Sequence, residues 1–209
     1  LLDDVQMGAC VVYSKLEGYE AKPTLFFEFH GTEASAVEQA ETVQAIAEDF
    51  GGSAFQWTSK MEDRNKLWQA RHDAYYAALA LRPGCGGWAT DVCVPVSRLA
   101  ECINETKADL KNTSLQAPLV GHVGDGNFHL VYLVDTDNQD ELDEAQAHSD
   151  RMVMRALAMG GTCTGEHGVG YGKMGFLQAE HGDALALMRS LKMAFDPDNI
   201  MNPGKIVSL

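Results

Sequence analysis

The sequence contains no apolar run long enough to cross a membrane as a helix. Such a helix needs roughly 20 consecutive apolar residues. The best apolar runs, Thr24 to Phe29 and Leu130 to Val134, have only the length of β-strands. The sequence therefore excludes a membrane-spanning helix.

Basic residues are scarce. The chain of 209 residues has 16 Lys and Arg against 30 Asp and Glu, which gives a net charge of -14. A nucleic-acid partner requires clustered Lys and Arg to neutralise phosphates, and the sequence has no such cluster. The charge does not exclude a small anionic ligand, because one buried Arg or a metal ion reverses the local potential.

Several common motifs are also missing. The five cysteines form no Cys-x-x-Cys pair and are odd in number, so we expect small reduced core residues rather than a disulfide scaffold. The glycine-rich stretch 165–173 lacks the spacing of a phosphate-binding loop, and no dinucleotide fingerprint is present. We therefore expect no NAD or ATP bound in those ways.

The first residues, Leu1 to Asp4, include no initiator Met, basic segment or apolar signal region. We therefore expect a processed product or a piece of a longer protein. The compartment cannot be read from such a start.

Predicted strands and helices alternate along the chain, with 45% hydrophobic residues to form a core. This order favours an α+β fold, in which an antiparallel sheet carries helices on one face and a smaller helical region follows. The predicted strands cover residues 24–30, 55–58, 89–94, 119–123 and 128–134. The predicted helices cover about 32–49, 62–81, 97–111, 139–159, 174–179 and 183–194.

A predicted hairpin carries two histidines, His122 and His129, on either side of a turn formed by residues 124–127. The turn sequence Gly-Asp-Gly-Asn favours a tight turn with positive φ. Folding the hairpin would bring both imidazoles to one end of the sheet. Asp125 in the turn is a further candidate ligand, although an Asp there ordinarily bonds to its own backbone.

A second glycine-dense stretch, residues 160–170, contains Glu166 and His167 side by side. Two His and one carboxylate form a common ligand set for Zn, Mn or Fe(II), which would leave one His free for proton transfer. Either pair alone also occurs as ordinary hydrogen-bonded residues, but their glycine-rich loops favour a functional site. The other histidines lack that setting and are predicted to be surface or structural: His30, His72, His148 and His181.

Three ordered motifs resemble the C-terminal cap domain of FAD-linked oxidases of the D-lactate dehydrogenase and glycolate oxidase type. They are the His122 to His129 hairpin, the Gly165 to Gly170 loop and the tail from Phe195 to Lys205. The resemblance extends from about Thr24 to the end of the chain and is greatest to the mitochondrial D-lactate dehydrogenase branch. It implies a ferredoxin-like duplicated cap fold.

The resemblance also implies roles for individual residues. The metal ligands would be His122, His129 and Glu166, with Zn or Mn as the divalent metal, and the catalytic base would be His167. Arg71 matches the family's arginine for the substrate carboxylate, a role that suits the geometry of a guanidinium. From the residues alone, Arg71 could equally be a surface helix arginine.

FAD is the implied cofactor, with Asn127, Asn202 and Lys205 as residues that would contact it. The implied division gives an α+β substrate domain over residues 1–135 and a helical region over 136–209. The tail of the second part would return to a flavin-binding lobe that this sequence lacks. We therefore expect the chain alone not to hold FAD tightly.

The implied reaction is oxidation of a D-2-hydroxy acid to the 2-oxo acid by hydride transfer to flavin. Relatives that oxidise D-2-hydroxyglutarate have a Lys where this chain has Ala89, and a polar residue where it has Val131. These departures favour a monocarboxylate such as D-lactate. The alternatives are a D-2-hydroxyglutarate or glycolate dehydrogenase, a metal-binding domain without redox function, and a hydrolytic or aldolase-like metal enzyme.

The resemblance further implies an electron acceptor such as cytochrome c or another carrier, and a mitochondrial location.

Overall fold

Four short strands form an antiparallel sheet in a computed structural model that describes residues 1–53 and 55–209. They are β1 (Gly86–Ala89), β2 (Val92–Cys93), β3 (Leu119–His122) and β4 (Asn127–Val134). Strand β4 pairs with all three of the others. It pairs with β1 over 131–134 and with β2 over 127–128. The long central strand therefore organises the sheet.

The predicted hairpin is confirmed as β3 and β4, with Leu119 opposite Leu130. Gly126 in its turn has a φ of +80°, a conformation that favours glycine. A Cβ at this position would lie 2.0 Å from the backbone oxygen of Val94. The turn therefore requires glycine both for its backbone conformation and for its close approach to the strand end.

The helices are mostly where the sequence predicts them, although α1 was not predicted. The long helix expected over 62–81 is divided at Asp73 into two helices. No helix within the described residues is long and apolar enough to span a membrane. The helices are α1 (Asp4–Tyr13), α2 (Glu33–Asp49), α3 (Met61–His72), α4 (Ala74–Ala80), α5 (Val96–Leu110), α6 (Gln139–Ala158), α7 (Leu177–His181) and α8 (Ala184–Phe195).

Two predicted strands are wrong. In the described part of the chain, residues 25–30 and 55–58 form no strand, and only Thr24 makes an isolated bridge, to Leu2. Two aromatic side chains in these segments, Phe27 and Trp57, remain 48% and 46% exposed. An extended segment becomes a strand only when a partner satisfies its backbone groups, and apolar alternation does not specify that partner.

The core lies on both faces of β4, every residue of which is buried. Phe128 and Tyr132 pack on one face in the main core with Met152 of α6. On the other face, Val131 packs against Ala78 of α4. The α+β class with an antiparallel sheet is confirmed, with helices on both faces of β4 rather than one.

The main core includes residues from 92 to 207, so it draws on both parts of the division at residue 135. That division stays a prediction. All five cysteines are free, and three of them are buried.

Candidate metal centre and active site

The hairpin places two imidazoles at one end of the sheet. His122 is the last residue of β3, and His129 is the third residue of β4. Their ring centroids are 6.2 Å apart. The His129 side chain is 7% exposed, whereas that of His122 is 47% exposed. One imidazole of the pair is therefore buried against the sheet, and the other is accessible to solvent.

A backbone contact fixes the tautomer of His129. Its Nδ1 lies 2.7 Å from the carbonyl oxygen of Thr90. A carbonyl can only accept, so Nδ1–H donates, and Nε2 presents its lone pair to the site when the ring is neutral. Burial lowers the pKa of His129, which outweighs the opposing effect of the Thr90 hydrogen bond. The neutral ring is therefore the form that the fold favours.

The glycine-rich loop brings Glu166 and His167 to the same place. Glu166 Oε1 lies 2.9 Å from His129 Nε2 and 3.9 Å from His122 Nε2. The His167 ring stacks on that of His129, with centroids 5.0 Å apart and planes 13° apart. All four side chains singled out in the two motifs therefore meet at one site.

The donor set fits a divalent metal ion. One ligand atom from each of His122, His129 and Glu166 can be chosen so that all three lie within 4.8 Å of one another. The neutral His129 Nε2 and the Glu166 carboxylate are both acceptors, and a cation between them would remove their mutual repulsion. Two imidazole nitrogens and a carboxylate oxygen suit Zn, Mn or Fe(II).

Arg71 adds a permanent positive charge beside this donor set. It lies in the last turn of α3, and its Nη2 is 3.2 Å from His122 Nε2. A guanidinium has no acceptor, so His122 Nε2 must accept. In this structure the Nε2 lone pair of His122 is therefore directed at Arg71, and a metal ion bound to that atom would displace the guanidinium, which lies at the edge of the site.

Sequence reasoning missed one residue of the site, Asp91, which is 2% exposed. It lies between β1 and β2 and accepts hydrogen bonds from the loop that carries Glu166. Burial raises the pKa of Asp91, but hydrogen bonds from Thr164 and His167 outweigh it and hold the pKa well below its usual range. The sequence signal for Asp91 was a charged residue within the otherwise apolar predicted strand 89–94. A carboxylate buried there must have hydrogen-bonding or charged partners, which indicates a structural or functional role.

Asp125 lies in the hairpin turn and Asn127 begins β4. The two residues differ in their burial and in their contacts with the site. Asn127 is buried, and its amide donates to Asp91 Oδ1 at 2.7 Å and to the Val92 carbonyl at 2.9 Å. Asp125 is exposed and lies outside the cluster of three candidate ligands found among the described residues.

The structure places Asn202 and Lys205 together, in a hollow whose lining includes none of the four His and Glu side chains of the cluster. Both line this hollow, of about 240 Å³, with Met188 and Val207. Lys205 Nζ lies 3.9 Å from the ring centroid of Tyr171. Their assignment to the flavin, like that of Asn127, stays a prediction.

The family follows from a comparison across the chain. A family model described as "FAD linked oxidases, C-terminal domain" matches residues 1–206. The chain belongs to this family. The resemblance carried by the three motifs is confirmed, and FAD is the cofactor that the family name implies for the whole protein.

Relatives of this FAD-linked oxidase domain include two longer proteins. A protein of Danio rerio named "Probable D-lactate dehydrogenase, mitochondrial" is 51% identical over 209 residues, which is 100% of this chain and 42% of that protein. "D-lactate dehydrogenase [cytochrome], mitochondrial" of Arabidopsis thaliana is 45% identical over 208 residues, 99% of this chain and 36% of that protein. The domain thus spans well under half of either relative.

A solved structure shares the fold of this FAD-linked oxidase domain. It is the 4-ethylphenol oxidase from Gulosibacter chungangensis in complex with isoeugenol, with a TM-score of 0.61 and 16% sequence identity. The match covers 85% of this chain and 37% of the other. At this identity the likeness concerns the fold alone.

Proposed function

We propose that this domain binds the substrate and a divalent metal in a flavoenzyme that oxidises a D-2-hydroxy monocarboxylic acid, such as D-lactate, to the 2-oxo acid. The observation that carries the proposal is the meeting of His122, His129 and Glu166 within 4.8 Å. His167 stacks beside them, and Arg71 lies at the edge. The names of the relatives from Danio rerio and Arabidopsis thaliana support the same reaction.

Arg71 holds the substrate carboxylate in this proposal. A guanidinium binds both oxygens of a carboxylate in one plane, so it fixes orientation as well as charge. His122, His129 and Glu166 hold the metal, which when bound supplies the Lewis acidity that lowers the pKa of a substrate hydroxyl. Arg71 lies 3.2 Å from His122, so carboxylate and hydroxyl of one small molecule reach both groups together.

His167 is the proton acceptor in this proposal. Its neutral Nε2 takes the hydroxyl proton while the C2 hydrogen departs with its electron pair, so the C2–O bond becomes a carbonyl. Flavin, when bound, supplies the acceptor for that hydride. Stacking on the buried ring of His129 holds the orientation of the His167 ring. The His167 side chain is 49% exposed, so a reactant can reach it from solvent.

The preference for a monocarboxylate rests on two apolar residues. Ala89 and Val131 are direct partners across β1 and β4. Val131 is two residues from His129 on the same strand, so both side chains lie on the same face of the sheet. An apolar position there offers no counter-charge to a second carboxylate, which disfavours D-2-hydroxyglutarate.

We further propose that the whole protein passes its electrons to a carrier such as cytochrome c and functions in mitochondria. Support comes from the relatives of Arabidopsis thaliana and Kluyveromyces lactis, both named "D-lactate dehydrogenase [cytochrome], mitochondrial".

Anaerobic stopped-flow measurement of flavin reduction by D-lactate in the full-length protein tests the proposal. We expect His167→Ala and His122→Ala each to slow reduction by about 100-fold or more, because one removes the base and the other a metal ligand. His30→Ala is the matched control, since His30 is exposed and outside the site. Normal flavin reduction in both site variants would refute the proposal.

A further inference from the structure

The residues between β1 and β2 connect two halves of the proposed site that are far apart in sequence. We infer that Asp91 is a positioning residue that holds Glu166 and His167 in their working orientation. The inference rests on the proposed function, because it assigns Asp91 to the support of that metal ligand and that base.

Three consecutive backbone N–H groups converge on the Asp91 carboxylate. Oδ2 accepts from the N–H of Gly165 at 3.0 Å, of Glu166 at 3.2 Å and of His167 at 3.0 Å. The hydroxyl of Thr164 donates to the same oxygen at 2.7 Å. These hydrogen bonds hold the backbone of Glu166 and His167 in place. They therefore fix the positions from which the two side chains extend into the site.

Two side chains complete the shell around this carboxylate. Lys173 Nζ lies 3.1 Å from Oδ2 and also donates to the Asp91 backbone carbonyl at 2.8 Å. Asn127 donates to Oδ1 at 2.7 Å. Asn127 begins β4, so Asp91 ties the loop to the strand that carries His129.

The neighbouring residue supports the other half of the site. The Thr90 carbonyl accepts from His129 Nδ1 at 2.7 Å. Thr90 and Asp91 are the two residues that connect the end of β1 to the start of β2. One dipeptide therefore orients both His129 and the Glu166 loop, and a displacement there would alter ligand and base together.

Close packing of the loop agrees with this role. A Cβ on Gly165 would lie 2.0 Å from Asn127 Nδ2 and 3.0 Å from Asp91 Oδ1. The loop approaches Asn127 and Asp91 so closely that a side chain at residue 165 would displace the Asn127 amide. This closeness is what lets the short Asp side chain reach four successive residues of the loop.

The test uses Asp91→Asn in the full-length flavoprotein, a change that keeps size and removes charge. Mn²⁺ affinity is measured by equilibrium dialysis, and flavin reduction by D-lactate is measured at saturating Mn²⁺. We expect Mn²⁺ affinity to fall about 10-fold to 100-fold. We also expect slow flavin reduction that excess Mn²⁺ does not restore, because the backbone of His167 loses its partner as well.

Asp109→Asn is the matched control. Asp109 also accepts several charged hydrogen bonds, but its partners are Arg151 and Arg155 of α6. A role in folding alone predicts the same pattern for both variants, namely lower thermal stability with unchanged Mn²⁺ affinity. A folded Asp91→Asn protein with wild-type Mn²⁺ affinity and wild-type flavin reduction overturns the inference.

Thr164→Val decides the matter if Asp91→Asn does not fold. It removes a single hydrogen bond to Oδ2, and we expect roughly a fivefold loss in Mn²⁺ affinity or flavin reduction rate. No change in either quantity overturns the inference.

His122→Ala, measured in parallel, separates the proposed metal centre from the inference about Asp91. If His122→Ala does not weaken Mn²⁺ binding, the proposed metal centre fails and the inference fails with it. If His122→Ala weakens Mn²⁺ binding while the Asp91 and Thr164 variants keep both wild-type Mn²⁺ affinity and wild-type flavin reduction, the inference about Asp91 alone fails.

Discussion

Ala89 and Val131 are the two side chains on which the proposed preference for a monocarboxylate rests. They are paired residues on one face of β1 and β4, and Val131 is backed by Ala78 in the core. Ala89 remains exposed, so a longer side chain at that position has room to extend. A charge added there would stand next to the proposed substrate site without disturbing the core.

Ala89→Lys in the full-length protein is expected to shift specificity towards a dicarboxylate. We expect the ratio of kcat/KM for D-2-hydroxyglutarate over D-lactate to rise about 10-fold or more, because an ammonium group supplies the missing counter-charge. Steady-state kinetics with both substrates measure the ratio. Ala89→Met, of similar length but uncharged, is the control. Equal ratios in the two variants would show that charge at residue 89 does not select the substrate.

The candidate site residues were predictable only where their local sequence was unusual. His122 and His129 flank a turn whose glycines predict a hairpin, and Glu166 and His167 lie in a glycine-dense loop. Asp91 was missed because its side-chain partners are 36 to 82 residues further along the chain, so no local spacing marks it. Its charge within the apolar run 89–94 was the one sequence feature that indicated a special role for Asp91.

A buried histidine connects three secondary-structure elements behind the site. His148 of α6 is 0% exposed, and its Nδ1 lies 2.6 Å from the hydroxyl of Tyr132 on β4. Its Nε2 is 3.7 Å from Asp109 of α5, and Arg151 and Arg155 are the other charged groups near the ring. Burial lowers the pKa of His148, and this outweighs the attraction of Asp109.

This histidine is expected to make stability fall in mild acid. Because the folded-state pKa is below the unfolded value of about 6.5, the unfolded chain binds the proton first, and stability is lost as pH falls below that value. The loss from one histidine is at most about 1.4 kcal/mol per pH unit. Urea unfolding of the domain at several pH values between 7.5 and 5 measures it.

His148→Gln is expected to flatten this dependence, because Gln can accept from Tyr132 without titrating in that range. His30→Gln, at an exposed position, should leave the slope unchanged. A slope that is the same in His148→Gln and in the unmodified domain would show that other groups cause the acid sensitivity.

The elements differ in how far local sequence determines them. The β3 and β4 hairpin was predictable because its turn and its register are set by adjacent residues. Residues 25–30 have equally strong strand composition and yet form no strand in the described chain. A strand requires a pairing partner, and composition does not say whether a partner is within reach.

At the scale of the molecule, the domain leaves its site and one helix face open. His122 and Glu166 are each 47% exposed, so the described residues leave these two proposed metal ligands partly open to solvent. On α8, Leu187, Leu191 and Phe195 recur every fourth residue and are 63%, 51% and 80% exposed. An exposed apolar stripe of this kind marks an interaction surface. The matched region is 42% and 36% of the two relatives, so most of each relative lies outside the part that resembles this domain.

Titrating the 209-residue chain with FAD, followed by flavin fluorescence, separates metal binding from flavin binding. We expect no saturable quenching at micromolar FAD, because the proposed function assigns most of the flavin contacts to residues outside this chain. The same sample should bind Mn²⁺ in equilibrium dialysis, and His122→Ala should abolish that binding.

Adding the remaining part of the full-length protein together with FAD should restore flavin reduction by D-lactate. Tight FAD binding by the domain alone would contradict this division of labour, and Mn²⁺ binding without restored reduction would favour a metal-binding domain that takes no part in redox chemistry.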